Sequence, residues 1–126
     1  MRAVFYVTLV AVLIVSLLPG NAGLPSTGWD KTNHVLAFAV LGALGAWAYP
    51  RHTVRMVLFL MAYGGAIEVV QSLTPYRFAE WSDLLADCLG VALGWMSGMI
   101  SLWAARRFRS LRGISARVRN GMDRTD

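Results

Sequence analysis

The sequence predicts an all-helical integral membrane protein, a compact bundle of four transmembrane helices with short loops and both termini in the cytoplasm. The composition is 56% hydrophobic and 15% charged, with a mean hydropathy of +0.51, whereas a soluble domain usually carries about 25% charged residues. Four long apolar segments follow one another within the 126 residues. The Lys and Arg residues are concentrated on one side of those segments. Together these observations indicate a chain that uses lipid as its solvent.

The apolar segments predict spans at residues 3–19, 33–49, 54–73 and 83–105. A helix that crosses a hydrocarbon core of about 30 Å needs roughly 20 residues, and backbone in lipid must form its hydrogen bonds internally, which favours helices. The first two segments reach this length only with flanking aromatic and polar residues. The first also fits a secretory signal peptide, since Arg2 precedes it and small residues follow at 19–23, and cleavage there would leave three spans.

The basic residues predict the orientation. Lys31 and Arg77 fall on one side of the four spans, and the other ten of the twelve fall on the opposite side. By the positive-inside rule, the side with ten is cytoplasmic. Those ten are Arg2, Arg51, Arg55, Arg106, Arg107, Arg109, Arg112, Arg117, Arg119 and Arg124.

The chain divides into a membrane domain at residues 1–105 and a basic cytoplasmic tail at 106–126. The tail fits two interpretations, an amphipathic helix on the anionic inner leaflet or a solvated anchor for the topology. Gly113 weakens the helix interpretation. Basic juxtamembrane tails are ordinary, so nucleic acid is not expected as a partner.

Glycines in the spans predict close helix packing. Gly90, Gly94 and Gly98 stand four residues apart in the fourth span, a small-xxx-small spacing that lets helix backbones approach. Gly42 and Gly45 in the second span, with the pair at 64–65 in the third, offer further flat surfaces.

Ionisable residues inside the spans mark the candidate site, because such groups are costly in lipid and usually face the bundle interior. At 1.5 Å per residue, they all fall in one layer at the outer ends of three spans. Asp83 and Asp87 share one helix face, as do Glu68 and Gln71. We therefore expect one polar cavity, open to the outer surface and floored by glycines. Its predicted ligand-binding residues are Asp30, Lys31, His34, Glu68, Gln71, Arg77, Asp83 and Asp87.

Several chemistries fit this set. Lys31 and Arg77 could hold a phosphate group. Glu68, Asp83 and His34 are the candidate catalytic residues, since carboxylates and imidazole act as general acids and bases. A divalent metal is not expected, because no HExxH or similarly spaced motif is present, and no cofactor is expected. A purely structural set of ion pairs between helix ends is the alternative.

The order of these motifs resembles the VanZ-like membrane proteins. The similarity covers roughly residues 28–98 and rests on Asp30-Lys31-x-x-His34-x-x-x-Phe38, on Glu68-x-x-Gln71, and on Arg77 followed by Asp83-Leu84-Leu85-Ala86-Asp87-x-x-Gly90. The position of Asp87 is often Asn in that family, so this site carries an extra ionisable carboxyl group.

The resemblance implies a four-helix, multi-pass protein of the bacterial inner membrane with a cell-envelope role. The founding member of the family is linked to resistance to the glycopeptide teicoplanin, which acts on lipid-linked wall precursors. We therefore expect binding or modulation of a lipid-linked envelope component at the outer leaflet, with membrane lipids as partners. The alternatives are an intramembrane enzyme acting on a polyprenyl-phosphate or glycolipid head group, and a structural or partner-binding membrane protein.

Overall fold

The computed structural model describes residues 1–18, 30–74 and 80–122, and within these ranges the chain is helical and contains no strand. The side chains of Asp30 and of residues 111–122 lie outside the described part. Four helices follow in order: α1, Arg2–Leu17; α2, Asp30–Ala48; α3, Thr53–Ser72; and α4, Trp81–Met122. The predicted all-helical class is confirmed, and each helix coincides with one of the predicted spans to within a few residues, except that α4 is much longer.

Two of these helices are long and apolar enough to cross a membrane, Thr53–Ser72 and the Trp81–Ser110 part of α4. The described part of α1 is apolar but has 16 residues, about 24 Å at 1.5 Å per residue. The 19 residues of α2 open with a polar turn of Asp30, Lys31, Asn33 and His34. That polar turn lowers the mean hydropathy of α2, and its residues belong to the candidate site.

Helices α2 and α4 form the closest interface of the bundle, through the predicted glycines. A Cβ atom added at Gly94 would overlap the backbone carbonyl of Ala39, and one added at Gly98 would lie 2.8 Å from the Ala46 Cβ. Gly42 on α2 likewise faces the backbone of Val91 on α4. Because glycine has no side chain, the two helix backbones come into contact at these positions, as small residues spaced four apart allow in membrane helices.

Helices α1 and α3 also pack against α2. The core that joins them contains Phe5 and Leu9 of α1, Phe38 and Leu41 of α2, and Leu60 of α3, among others. The hydroxyl group of Tyr63 on α3 donates a 2.6 Å hydrogen bond to the carbonyl of Leu9. Two glycines of α3 differ sharply: Gly64 is tightly packed, whereas a Cβ atom added at Gly65 would meet nothing within 4 Å.

The outward faces of all four helices carry exposed large apolar side chains. Val7 of α1 is 68% exposed, Leu58 of α3 is 63% exposed and Leu85 of α4 is 70% exposed. On α2, Leu36 and Val40 are also exposed. A helix that is apolar on its outer as well as its inner face is typical of a membrane-embedded bundle.

Helix α4 continues without a break from the apolar segment into the basic tail. It runs to Met122 and includes Gly113. The boundary predicted at residue 106 falls inside this continuous helix, and the placement of the tail on the membrane surface stays a prediction.

Candidate functional site

Four ionisable side chains are buried together at one end of the bundle, where α2 and α4 begin and α3 ends. His34, Glu68, Asp83 and Asp87 have exposed fractions between 0% and 8%. We call these four residues the acid–histidine cluster, and this end of the bundle the site end. Each helix supplies its members from one or two turns inside the terminus, so the cluster lies beside the positive N-terminal ends of α2 and α4.

His34 and Asp87 form the innermost pair. Nδ1 of His34 lies 2.9 Å from Oδ1 of Asp87, a buried hydrogen bond between α2 and α4. The second carboxylate oxygen of Asp87, Oδ2, faces α3, where a Cβ atom at Gly64 would come within 2.6 Å of it. The absence of a side chain at Gly64 therefore makes room for the Asp87 carboxylate, a role that helix spacing alone did not reveal.

Glu68 and Asp83 lie beside this pair, and their carboxylate oxygens form fewer or weaker hydrogen bonds. Oε2 of Glu68 accepts a 3.3 Å hydrogen bond from the backbone N–H of Glu80. Among the described residues, Oε1 of Glu68, Oδ1 of Asp83 and Oδ2 of Asp87 are buried without a hydrogen-bond partner. A buried carboxylate without a counter-charge is costly, so these oxygens call for a proton or a cation.

A partly exposed ion pair borders the cluster. Nζ of Lys31 lies 2.9 Å from Oε2 of Glu80 and 3.8 Å from Oδ1 of Asp83. The longer distance is an ion pair without a hydrogen bond. Hydrogen bonds from Lys31 and from the Ser82 hydroxyl group lower the pKa of the Glu80 carboxyl below its usual value. Glu80 was not among the predicted site residues, because its place opposite Lys31 depends on how α2 and α4 pack.

The side-chain amide of Gln71 bonds to α1 and not to the acid–histidine cluster. Its Nε2 donates a 2.9 Å hydrogen bond to the backbone carbonyl of Ser16, near the C-terminal end of α1, which joins α1 to α3. The side chain of Asp30 and the whole of Arg77 lie outside the described residues. Of the eight predicted site residues, the structure therefore brings together Lys31 and the four members of the acid–histidine cluster.

An open groove of about 360 Å³ lies between α2 and α4 on the outer surface of the bundle. Its apolar walls come from Val35, Leu85, Ala86 and Leu89, and its polar rim comes from Lys31, Thr32 and Ser82. We call it the α2–α4 groove. The spacing of Ser82, Leu85, Ala86 and Leu89 is the i, i+3, i+4, i+7 pattern of one helix face, which is the signal that could have identified this wall from the sequence.

The site therefore differs from the open polar cavity expected from the sequence. The acid–histidine cluster is closed within the bundle, and the α2–α4 groove is lined by none of its four members. The glycines that were expected to floor the cavity bring the α2 and α4 backbones into close contact. The arrangement offers two chemically distinct places, a buried set of carboxylates with one imidazole and an amphipathic groove bordered by a cation.

Fold and site together define a small helical membrane protein with buried acidic residues at one end of its bundle. The sequence profile of the VanZ/LLP1 family matches residues 4–102. The chain belongs to the VanZ/LLP1 family, as its motifs suggested. No curated protein and no solved structure gives a significant match to this chain.

Proposed function

We propose that this chain is a four-span protein of the bacterial inner membrane that binds an anionic lipid-linked component of the cell envelope at the outer leaflet, where it modulates the availability of that component. Such a role would be of the kind linked to glycopeptide resistance in the family. The α2–α4 groove is the observation that carries the proposal.

The exposed surface supports four spans with both termini in the cytoplasm. Apolar side chains cover the outward faces of α1 and α2 as well as those of the two longer helices. Exposed arginines, including Arg51, Arg55 and Arg106, lie at the end of the bundle opposite the site end. Basic residues favour the cytoplasmic side, so the site end faces outward in this topology.

The α2–α4 groove suits an amphiphile with an anionic head. Its walls are apolar, and Lys31, whose side chain is 35% exposed, lies on its rim with the hydroxyl-bearing Thr32 and Ser82. Ammonium and hydroxyl groups are common partners of phosphate. A lipid whose phosphate sits at this rim would lay the start of its chain along Val35, Leu85 and Leu89, which face the membrane interior.

Native mass spectrometry of protein purified gently from bacterial membranes tests the proposal. We expect wild type to retain an adduct with the mass of a polyprenyl phosphate or a lipid-linked sugar. The double variant Lys31→Ala/Arg77→Ala should lose it, whereas the matched variant Arg51→Ala/Arg55→Ala should keep it. If only bulk phospholipids are retained, equally by all three proteins, the proposal is wrong. That result would favour the alternative of a structural or partner-binding membrane protein.

A second candidate is an intramembrane enzyme acting on the same class of lipid, and the His34–Asp87 hydrogen bond favours it. A buried carboxylate that holds an imidazole is a common way to orient an acid–base group, and Glu68 and Asp83 lie beside it. Glu68→Gln separates the candidates: an enzyme should lose turnover of a polyprenyl-phosphate substrate while it keeps affinity, and a binding protein has no turnover to lose.

A further inference from the structure

Three side chains from three different helices converge in the acid–histidine cluster at distances that suit a shared cation. Potential ligand atoms of His34, Glu68 and Asp83 all lie within 4.8 Å of one another, and all three residues are buried. They come from α2, α3 and α4. Because the three residues are far apart in sequence, no local motif with metal-ligand spacing could identify them.

Two of these residues carry buried carboxylate oxygens that form no hydrogen bond with the described residues. They are Oε1 of Glu68 and Oδ1 of Asp83, in side chains that are 8% and 6% exposed. The nearest cation among the described residues is Lys31, 3.8 Å from Oδ1 of Asp83, and Lys31 forms its shorter contact with Glu80. Buried carboxylates without partners are disfavoured unless a counter-charge is present.

We propose that His34, Glu68 and Asp83 bind a divalent transition-metal cation, with Asp87 as the residue that orients His34. One imidazole and two carboxylates form a mixed nitrogen and oxygen set of the kind that Zn²⁺ and Mn²⁺ accept. Metal-bound histidines usually hydrogen-bond a carboxylate through the other ring nitrogen. The 2.9 Å contact of His34 Nδ1 with Asp87 supplies that partner, so in this proposal the metal is bound through the other ring nitrogen, Nε2.

The geometry requires only a small contraction. Ligand atoms about 2.1 Å from a metal stand roughly 3–4 Å apart, compared with an upper limit of 4.8 Å for the three present here. The proposal requires side-chain rotations of Glu68 and Asp83 that close this difference. The site lies beside the α2–α4 groove and is chemically separate from it, so the proposal goes beyond lipid binding.

Metal content and metal-dependent stability test the site. Wild-type protein purified in mild detergent without chelator is measured by inductively coupled plasma mass spectrometry, and then stripped with EDTA and titrated with Zn²⁺ or Mn²⁺ while its melting temperature is followed. We expect about one metal per chain and a rise in melting temperature with added metal, since a ligand that binds only the folded state stabilises it. Glu68→Gln and Asp83→Asn should abolish both effects, and Asp87→Asn should weaken binding roughly 10–100-fold.

Glu80→Gln is the matched control, because it removes an acid at the same end of the bundle but outside the buried ligand set. It should bind metal as wild type does. Absence of metal and of any stabilisation in wild type would overturn the proposal, the more clearly if Glu68→Gln and Asp83→Asn raise the melting temperature by removing unpaired charge. Equal metal content in all the variants would also overturn it, since the metal would then be bound elsewhere. Lys31→Ala should retain the metal while losing the lipid adduct, so failure of one proposal is distinguishable from failure of the other.

Discussion

Replacement of Gly94 by alanine should destabilise the bundle even though alanine is the better helix former. Alanine gains about 0.8–1 kcal/mol over glycine in a helix interior. At Gly94, however, the new Cβ would overlap the backbone carbonyl of Ala39, and Ala39 Cα would be only 2.7 Å away. A backbone atom cannot rotate aside, so α2 and α4 must separate. Overpacking of a tight interface costs about 1–3 kcal/mol, and because the obstacle is backbone we expect the upper part of that range, a net loss of about 2 kcal/mol.

Gly65 supplies the matched control in the same protein, because a Cβ atom there meets nothing within 4 Å. Both variants are unfolded in mixed micelles of increasing SDS content, with helicity followed by circular dichroism. Gly65→Ala should be as stable as wild type or slightly more so, and Gly94→Ala should unfold at lower SDS content. If the two variants unfold at the same SDS content, α2 and α4 do not touch through Gly94 and the packing described here is wrong.

Three further outcomes follow from the site. His34→Ala should lower the free energy of unfolding in the same SDS assay by about 3–5 kcal/mol, because it leaves the Asp87 carboxylate buried without its partner. Asp87→Asn should lower it by less than about 1 kcal/mol. Equal losses of stability in the two variants would contradict this reasoning. Gly64→Ala should displace the Asp87 carboxylate at about 1–2 kcal/mol, and retention of the His34–Asp87 contact in its NMR spectrum would refute the packing. The pKa of Glu80, which Lys31 holds below its ordinary value of 4.5, should rise towards that value in Lys31→Gln by carboxyl NMR titration. The stabilisation from the Lys31–Glu80 pair is present above pH 4.5 and is lost as the pH falls through the lowered pKa of Glu80. A difference in stability between wild type and Lys31→Gln that does not change with pH would contradict this.

Hydrophobic runs and turn residues carried enough information to predict the helices. Pro50 and the charged residues around it separate α2 from α3, and the two elements fall close to the predicted ranges of 33–49 and 54–73. The glycine spacing at Gly90, Gly94 and Gly98 correctly predicted which face of α4 contacts a neighbour. These are local patterns, since periodicity and residue size act within one helix.

The site was predictable in part of its membership and not in its connections. The depth argument grouped His34 with Glu68 and Asp87, and the structure buries them together. Which atoms meet depends on the rotation of one helix against another, and a sequence pattern does not fix that rotation to an ångström. For this reason the partner of Lys31 and the attachment of Gln71 to α1 came only from the structure.

The shape of the site was the least predictable feature. A polar layer at one end of three helices is compatible with an open cavity or with a closed cluster, and the choice depends on how closely the backbones approach. In the structure the α2 and α4 backbones meet at Gly94 and Ala39, the cluster is buried, and the accessible groove lies between the same two helices. The spacing of Ser82, Leu85, Ala86 and Leu89 marks one face of α4, but Leu93 continues the same face, so the spacing alone does not show where the groove ends.

The central claim is that Lys31 at the rim of the α2–α4 groove contacts an anionic lipid head group. Equilibrium binding of a polyprenyl phosphate to the protein in nanodiscs tests it most directly, with wild type, Lys31→Ala and Glu80→Gln compared. Glu80→Gln breaks the same ion pair but leaves the cation in place, so it should bind at least as well as wild type. Lys31→Ala should bind at least about 10-fold more weakly, since a hydrogen bond to a charged group contributes about 1.5–3 kcal/mol. Equal affinity for Lys31→Ala and wild type would contradict the account, because the groove would then hold no head group at its rim.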